Sequence, residues 1–215
     1  MVVRQRKGFR VTKTVTKRHR PTQDRARATR EHILDTAAQL FGERGIANTS
    51  TNRIAAEAEV SIGTVYRYFA DRDVIVDELL ERMMNNIERR FSAQAARIGS
   101  EPLPRLVTSI LEALSAELVA NAPLVRALAA GLQFYSTGIP DFEPRMRALV
   151  VSFLAEVMGP EPSEGTFDLM AYVLVNTGFA AILRTSSPEF DDHMRDQVVA
   201  ITAEMITAWV EQRSR

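Results

Sequence analysis

The residues best equipped for chemistry lie in one run, Gly63-Thr64-Val65-Tyr66-Arg67-Tyr68-Phe69. It places a threonine hydroxyl, two phenol hydroxyls and a guanidinium close together. Such groups donate hydrogen bonds to phosphate oxygens, and arginine adds a permanent charge. Their joint capacity is to hold a polyanion rather than to turn over a substrate. Catalytic alternatives have little to build on. His19, His32 and His193 are far apart, with no ligand spacing and no Ser or carboxylate beside them in a usable arrangement. Cysteine is absent, so there is no thiolate nucleophile, disulfide or Cys-based metal site. No glycine-rich phosphate loop occurs. The expectation is a binding protein, not an enzyme, with no cofactor.

Charge is segregated along the chain. The 215 residues carry 27 Lys/Arg and 27 Asp/Glu, a net charge of zero. Residues 1–30 hold 11 of the basic groups against Asp24 alone, and no lysine follows Lys17. A division this sharp points to one end meeting a polyanion. A solvated disordered tail is the plainer reading, and a disordered basic arm can serve both roles. The N-terminus lacks the apolar run of a signal peptide. The longest uncharged stretch, 169–183, holds Asn176 and Thr177 and is short for a membrane span. A cytoplasmic protein with no membrane partner is expected.

These residues must be positioned by helices. Residues 1–22 lack periodicity and read as a flexible arm. Ile33, Leu34, Ala37, Ala38 and Phe41 then recur at spacings of three and four, one apolar helical stripe that Gly45 ends. Ser50 or Thr51 can cap a short helix that faces Ile54, Ala55 and Ala58 inward. Ser61 can cap another, with Val65 and Phe69 on one face, and Asp71 begins a long fourth helix. No alternating strand pattern competes, so the chain reads as all-α. It divides into the arm, a three-helix domain over 23–75 and a larger helical domain over 76–215.

Two short helices joined by Glu59-Val60-Ser61, after a longer one, describe a helix-turn-helix. With Val65 and Phe69 inward, Ile62, Thr64, Tyr66, Arg67 and Tyr68 occupy the outer and flanking faces. Such a helix suits the major groove of double-stranded DNA. Ile62 and the Thr64 methyl can touch a thymine methyl. The tyrosine hydroxyls with Arg67 or Arg72 can hold phosphates. Gly63 removes bulk where a DNA backbone comes close. Ser50, Thr51 and Asn52 open the preceding helix, where free N–H groups favour a phosphate.

The stretch "TSTNRIAAEAEVSIGTVYRYFADRDVIVDELL" resembles the DNA-binding segment of TetR-family transcriptional regulators. The resemblance covers roughly residues 29–80; beyond it only length, helical content and domain order are similar. It implies a homodimeric, ligand-responsive repressor on a palindromic operator. It also implies that Ser50, Thr51, Asn52, Thr64, Tyr66, Tyr68 and Arg72 face DNA. Two positions depart from the family: Glu59 stands where many members have glycine, and Ile62 replaces a commonly polar residue.

The second domain carries more apolar surface than one core needs. In 191–213, Met194, Val198, Ile201, Met205 and Ala208 form one stripe, and Val199, Thr202, Ile206 and Val210 form another. The helix 167–183 is apolar nearly all round. Helices with two apolar faces must bury both, which a homodimer through the last two helices achieves. A small hydrophobic effector is expected among Phe91, Gln133, Phe134, Tyr135, Tyr172, Asn176, Thr177 and Phe179. A sequence-blind DNA-coating protein would share the basic arm but has no need of this domain.

Overall fold

The computed structural model describes residues 20–131 and 142–214, and all regular structure among them is helical. Helix α1 (Arg20–Arg44) begins earlier than expected and takes Pro21 into its first turn. Proline is accepted there because a first-turn N–H has no helical partner to lose. Most of the expected basic arm, residues 1–19, lies outside the described residues. The α1 stripe buries Ile33, Leu34, Ala37 and Phe41. The helix closes at Gly45, whose N–H donates to Phe41 O at 2.9 Å.

Helices α2 (Thr51–Glu57) and α3 (Ile62–Tyr68) form a pair, each started by a serine. The Ser50 Oγ accepts from Arg53 N at 3.3 Å, and the Ser61 Oγ from Thr64 N at 3.1 Å. Between them the chain makes a Schellman turn: Val60 N donates to Ala55 O and Glu59 N to Ala56 O. That motif needs a left-handed residue, and Glu59 supplies it at φ +53. The strain for a residue with a Cβ is about 1 kcal/mol. Val60 comes next and packs against the core, plugging the junction. Ile54, Ala58, Val65 and Phe69 are all buried, so α3 is anchored by one face only.

Helix α4 (Arg72–Ala95) is capped by Asp71 and runs for 24 residues from the helix pair to the helices that follow. It buries Ile75, Leu79, Met83, Ile87 and Phe91. Polar ties hold it on three sides. Toward α1, Arg82 meets Asp35 at 2.6 Å and Glu78 pairs with Arg30. Arg30 also lies 5.3 Å over the Phe69 ring. Toward α5 (Leu103–Ala120), Asn86 and Arg90 donate to the buried Glu117 carboxylate at 2.8 and 2.7 Å. Toward α7 (Phe142–Met158), Arg145 reaches Glu88 at 2.6 Å and Glu81 at 2.7 Å. Bonding to Glu88, then to Glu81, raises the Arg145 pKa above its ordinary value despite some burial. The guanidinium keeps its charge at every working pH.

Helix α6 (Ala122–Gly131) packs against α1, and Pro123 presses on Gly42. Helix α8 (Thr166–Leu174) runs through a π-helical turn (Val175–Phe179) into α9 (Ala180–Arg184). The combined helix, Thr166–Arg184, has 19 residues and is apolar and long enough to cross a bilayer. It is longer than the uncharged stretch in the sequence suggested. In the fold its Phe167, Met170, Val175, Phe179 and Ile182 are buried against protein. Helix α10 (Asp192–Arg213) is capped by Asp191 and packs on α5.

Candidate nucleic-acid interface and apolar cavity

The outer side of α3 is the most chemically loaded surface of the first domain. Tyr66 is 54% exposed, while Val65, its neighbour in sequence, is fully buried. Gly63 and Arg67 are exposed beside it. The Tyr66 hydroxyl lies 3.3 Å from Thr51 Oγ1 on α2, so the two helices present their hydroxyls at one place. Ser50 and Asn52 are exposed on the same approach, and Thr51 is half-buried. The Ser50 oxygen is committed to its cap, but its backbone remains at the helix start.

Other expected contacts are arranged differently. Thr64 is half-buried, and its hydroxyl is hydrogen-bonded with Ser61 Oγ at 2.8 Å. Ile62 is half-buried and packs partly on the core. Tyr68 is half-buried too, with Arg67 stacked 5.1 Å over its ring. Arg72, expected to hold a phosphate, has its Nη1 donating to Ile46 O at 3.1 Å and Ala47 O at 3.3 Å, which ties the start of α4 to the loop before α2. Its side chain stays 37% exposed. His32 has its Nε2 at 3.1 Å from Ala58 O, tying α1 to the end of α2.

Gly63 has no internal reason to be glycine. A Cβ there would meet nothing nearer than Ser61 Oγ at 3.8 Å. Glycine inside a helix costs about 0.5–1 kcal/mol relative to alanine. We therefore expect Gly63→Ala to raise the unfolding free energy by about 0.5 kcal/mol, measured by urea titration, while weakening DNA binding. A variant that is more stable and binds DNA equally well would remove close approach as the reason for this glycine.

The helices from α4 onward enclose an apolar cavity of about 70 Å³. Phe91 of α4, Leu114 of α5, Phe153 of α7 and Ile206 of α10 line it. Val175, Gly178 and Phe179 of the π-helical turn complete the wall. Phe91 and Phe179 are among the lining residues, whereas Tyr172, Asn176 and Thr177 are exposed on the outer side of the helix. The Asn176 and Thr177 side chains fold back onto Tyr172 O and Val173 O. A helix apolar nearly all round gives no pattern from which to choose a face. Gln133, Phe134 and Tyr135 lie outside the described residues. The Glu117 hub was not foreseen; its signal was a lone acid on an otherwise apolar helix face.

Residues 33–79 match the family model for bacterial regulatory proteins of the tetR family. The transcriptional regulator AcrR of Shigella flexneri is 34% identical over 95 residues, 44% of each chain. The transcriptional repressor KstR2 of Rhodococcus jostii is 34% identical over 89 residues, 40% of this chain and 44% of that protein. The matched segment thus spans less than half the length of these relatives. Solved structures extend the likeness of fold. The fatty acid degradation regulator FadR of Bacillus halodurans superimposes with a TM-score of 0.69 at 17% identity, covering 83% of this chain and 94% of that one. A TetR-family structure from Syntrophomonas wolfei gives 0.64 at 19% identity, covering 87% and 95%.

Proposed function

We propose that this chain, whose residues 33–79 match the model for bacterial regulatory proteins of the tetR family, is a dimeric transcriptional repressor of that family. It binds a palindromic operator and is released by a small hydrophobic molecule. The reading rests on the α3 surface, where Gly63, Tyr66 and Arg67 face outward while Val65 and Phe69 fix the helix from beneath. A helix held by one face can enter a major groove without unpacking. Ser50, Thr51, Asn52, Tyr66, Arg67 and Tyr68 contribute phosphate contacts, and Ile62 and Thr64 contribute apolar ones. The basic segment at 1–19 adds affinity through further phosphates rather than sequence choice.

The dimer is supported by apolar surface left open. Leu169, Tyr172 and Val173 on α8 and Met194, Ile201 and Met205 on α10 are all more than two-fifths exposed. An apolar patch of this kind marks an interface. A second copy with the same patch covers it about a two-fold axis and supplies the second reading head. Half-sites then lie about 34 Å apart or a multiple of that. Release occurs if ligand favours a conformer in which α4 holds the two heads at the wrong spacing.

The test uses DNA flanking the protein's own gene. A palindromic footprint that survives moderate salt is expected; uniform weak binding overturns the reading. Tyr66→Ala should weaken operator binding about ten-fold or more in a fluorescence titration, an effect of about 1.4 kcal/mol. Sedimentation should leave the dimer intact, because Tyr66 lies far in sequence and element from the open apolar patch. A dimer lost with Tyr66 would mean that this side chain faces a subunit and not a groove.

A further inference from the structure

We propose that α3 detects a C5-methyl group in the major groove through Ile62, accepting thymine and 5-methylcytosine alike and disfavouring uracil and unmodified cytosine. The inference rests on the reading that α3 enters operator DNA, and it names what the helix senses there. A recognition helix offers its N-terminal residues to the base edges. In α3 these are Ile62, Gly63 and Thr64, with Ser61 as the cap. Gly63 has no side chain to read with. The Ser61 and Thr64 hydroxyls bond each other at 2.8 Å, and Ser61 Oγ also accepts from Thr64 N at 3.1 Å. Both hydroxyls are thus engaged in starting the helix. That leaves Ile62, a side chain with no polar atom, to meet a base edge.

Ile62 is half-buried and packs against the core. Branching at Cβ already restricts rotation about χ1, and this packing restricts it further. Its exposed part therefore stands in a fixed place, and binding immobilises little that was free. Gly63 is exposed beside it and adds no bulk that would hold a base away. An aliphatic group neither donates nor accepts hydrogen bonds, so it is blind to the exocyclic oxygens and amines that distinguish the bases. Its favourable contact in the major groove is with a pyrimidine methyl. Carbon 5 carries that methyl in thymine and in 5-methylcytosine, and only hydrogen in uracil and cytosine. An operator read this way responds to cytosine methylation.

The test uses the full-length protein and the footprinted DNA beside its own gene, with one base changed at a time. Replacing thymine by deoxyuridine removes a single methyl group and keeps every hydrogen-bonding atom. At one thymine in each half-site this should weaken binding about four-fold, the worth of one methyl group taken out of water. With that T·A pair changed to C·G, methylating the new cytosine at carbon 5 should strengthen binding by about the same factor. Ile62→Ala should bind the thymine and uracil operators equally, a result that general weakening of the fold does not produce. Ile62→Val keeps the branched shape and should retain a reduced preference, which covers the case of an alanine variant that fails to fold. Uracil tolerated at every thymine of the footprint overturns the proposal and leaves the operator reading standing. So does an alanine variant that discriminates as well as the parent. A parent protein that gives no footprint overturns both.

Discussion

Gly42→Ala is expected to destabilise the protein by about 2–3 kcal/mol, even though alanine is the better helix former. Gly42 lies inside α1, and a Cβ there would fall 2.2 Å from Pro123 Cβ and 3.1–3.2 Å from Pro123 backbone atoms. No real packing contact is as short as the first of these. The obstacle is also rigid: Pro123 is a ring in the first turn of α6, with no flexible end to swing aside. Either α6 withdraws from α1 or α1 bends. Helix propensity alone predicts a gain of about 1 kcal/mol at this site. The sign of the urea-measured change therefore decides between the two effects. A stabilised variant would mean that α1 and α6 do not meet at this residue. Hydrogen exchange should place the loosening at the seam between the two domains.

Glu117→Leu is expected to cost about 3 kcal/mol, whereas Glu117→Gln should cost about 1 kcal/mol. The Glu117 residue is 4% exposed, and its carboxylate is met by Arg90, Asn86 and Asn121. Leucine fills similar space but accepts nothing, so Asn86 loses its acceptor, while Asn121 keeps the Glu117 backbone oxygen at 2.9 Å. Glutamine keeps a carbonyl acceptor for part of the set. Arg90 limits the loss, since its side chain is 46% exposed and can turn to water. Urea midpoints of the two variants check the ranking. A leucine variant as stable as the parent would show that removing a buried charge outweighs its contacts, an outcome with precedent in principle.

The parts of this fold that were legible in the sequence are those fixed by local chemistry. Ser50, Ser61 and Asp71 each cap a helix, as their positions in the sequence suggest. Spacings of three and four placed Ile33, Leu34, Phe41, Val65 and Phe69 in the core. In α10 the two stripes separated as read: Val199, Thr202, Ile206 and Val210 turned in, and Met194, Ile201 and Met205 turned out. The features that escaped depend on distance. Asn86 and Arg90 find Glu117 from 31 and 27 residues away. Arg72 reaches carbonyls 26 and 25 residues back. Gly42 looks ordinary until Pro123 is beside it. Tyr172, Asn176 and Thr177 lie on a helix with no polarity contrast in its sequence, so nothing local marks the face they take.

That π-helical turn has a bearing on chain length. An α-helix advances about 100° per residue, and a π turn absorbs roughly one residue beyond that count. The segments before and after Val175–Phe179 therefore keep faces that a straight helix would reach with one residue fewer. Deleting a single residue within the turn should leave both flanks seated as they are. The same deletion one turn earlier, in α8, would swing Phe167 out of the core and bring a solvent-facing neighbour in its place.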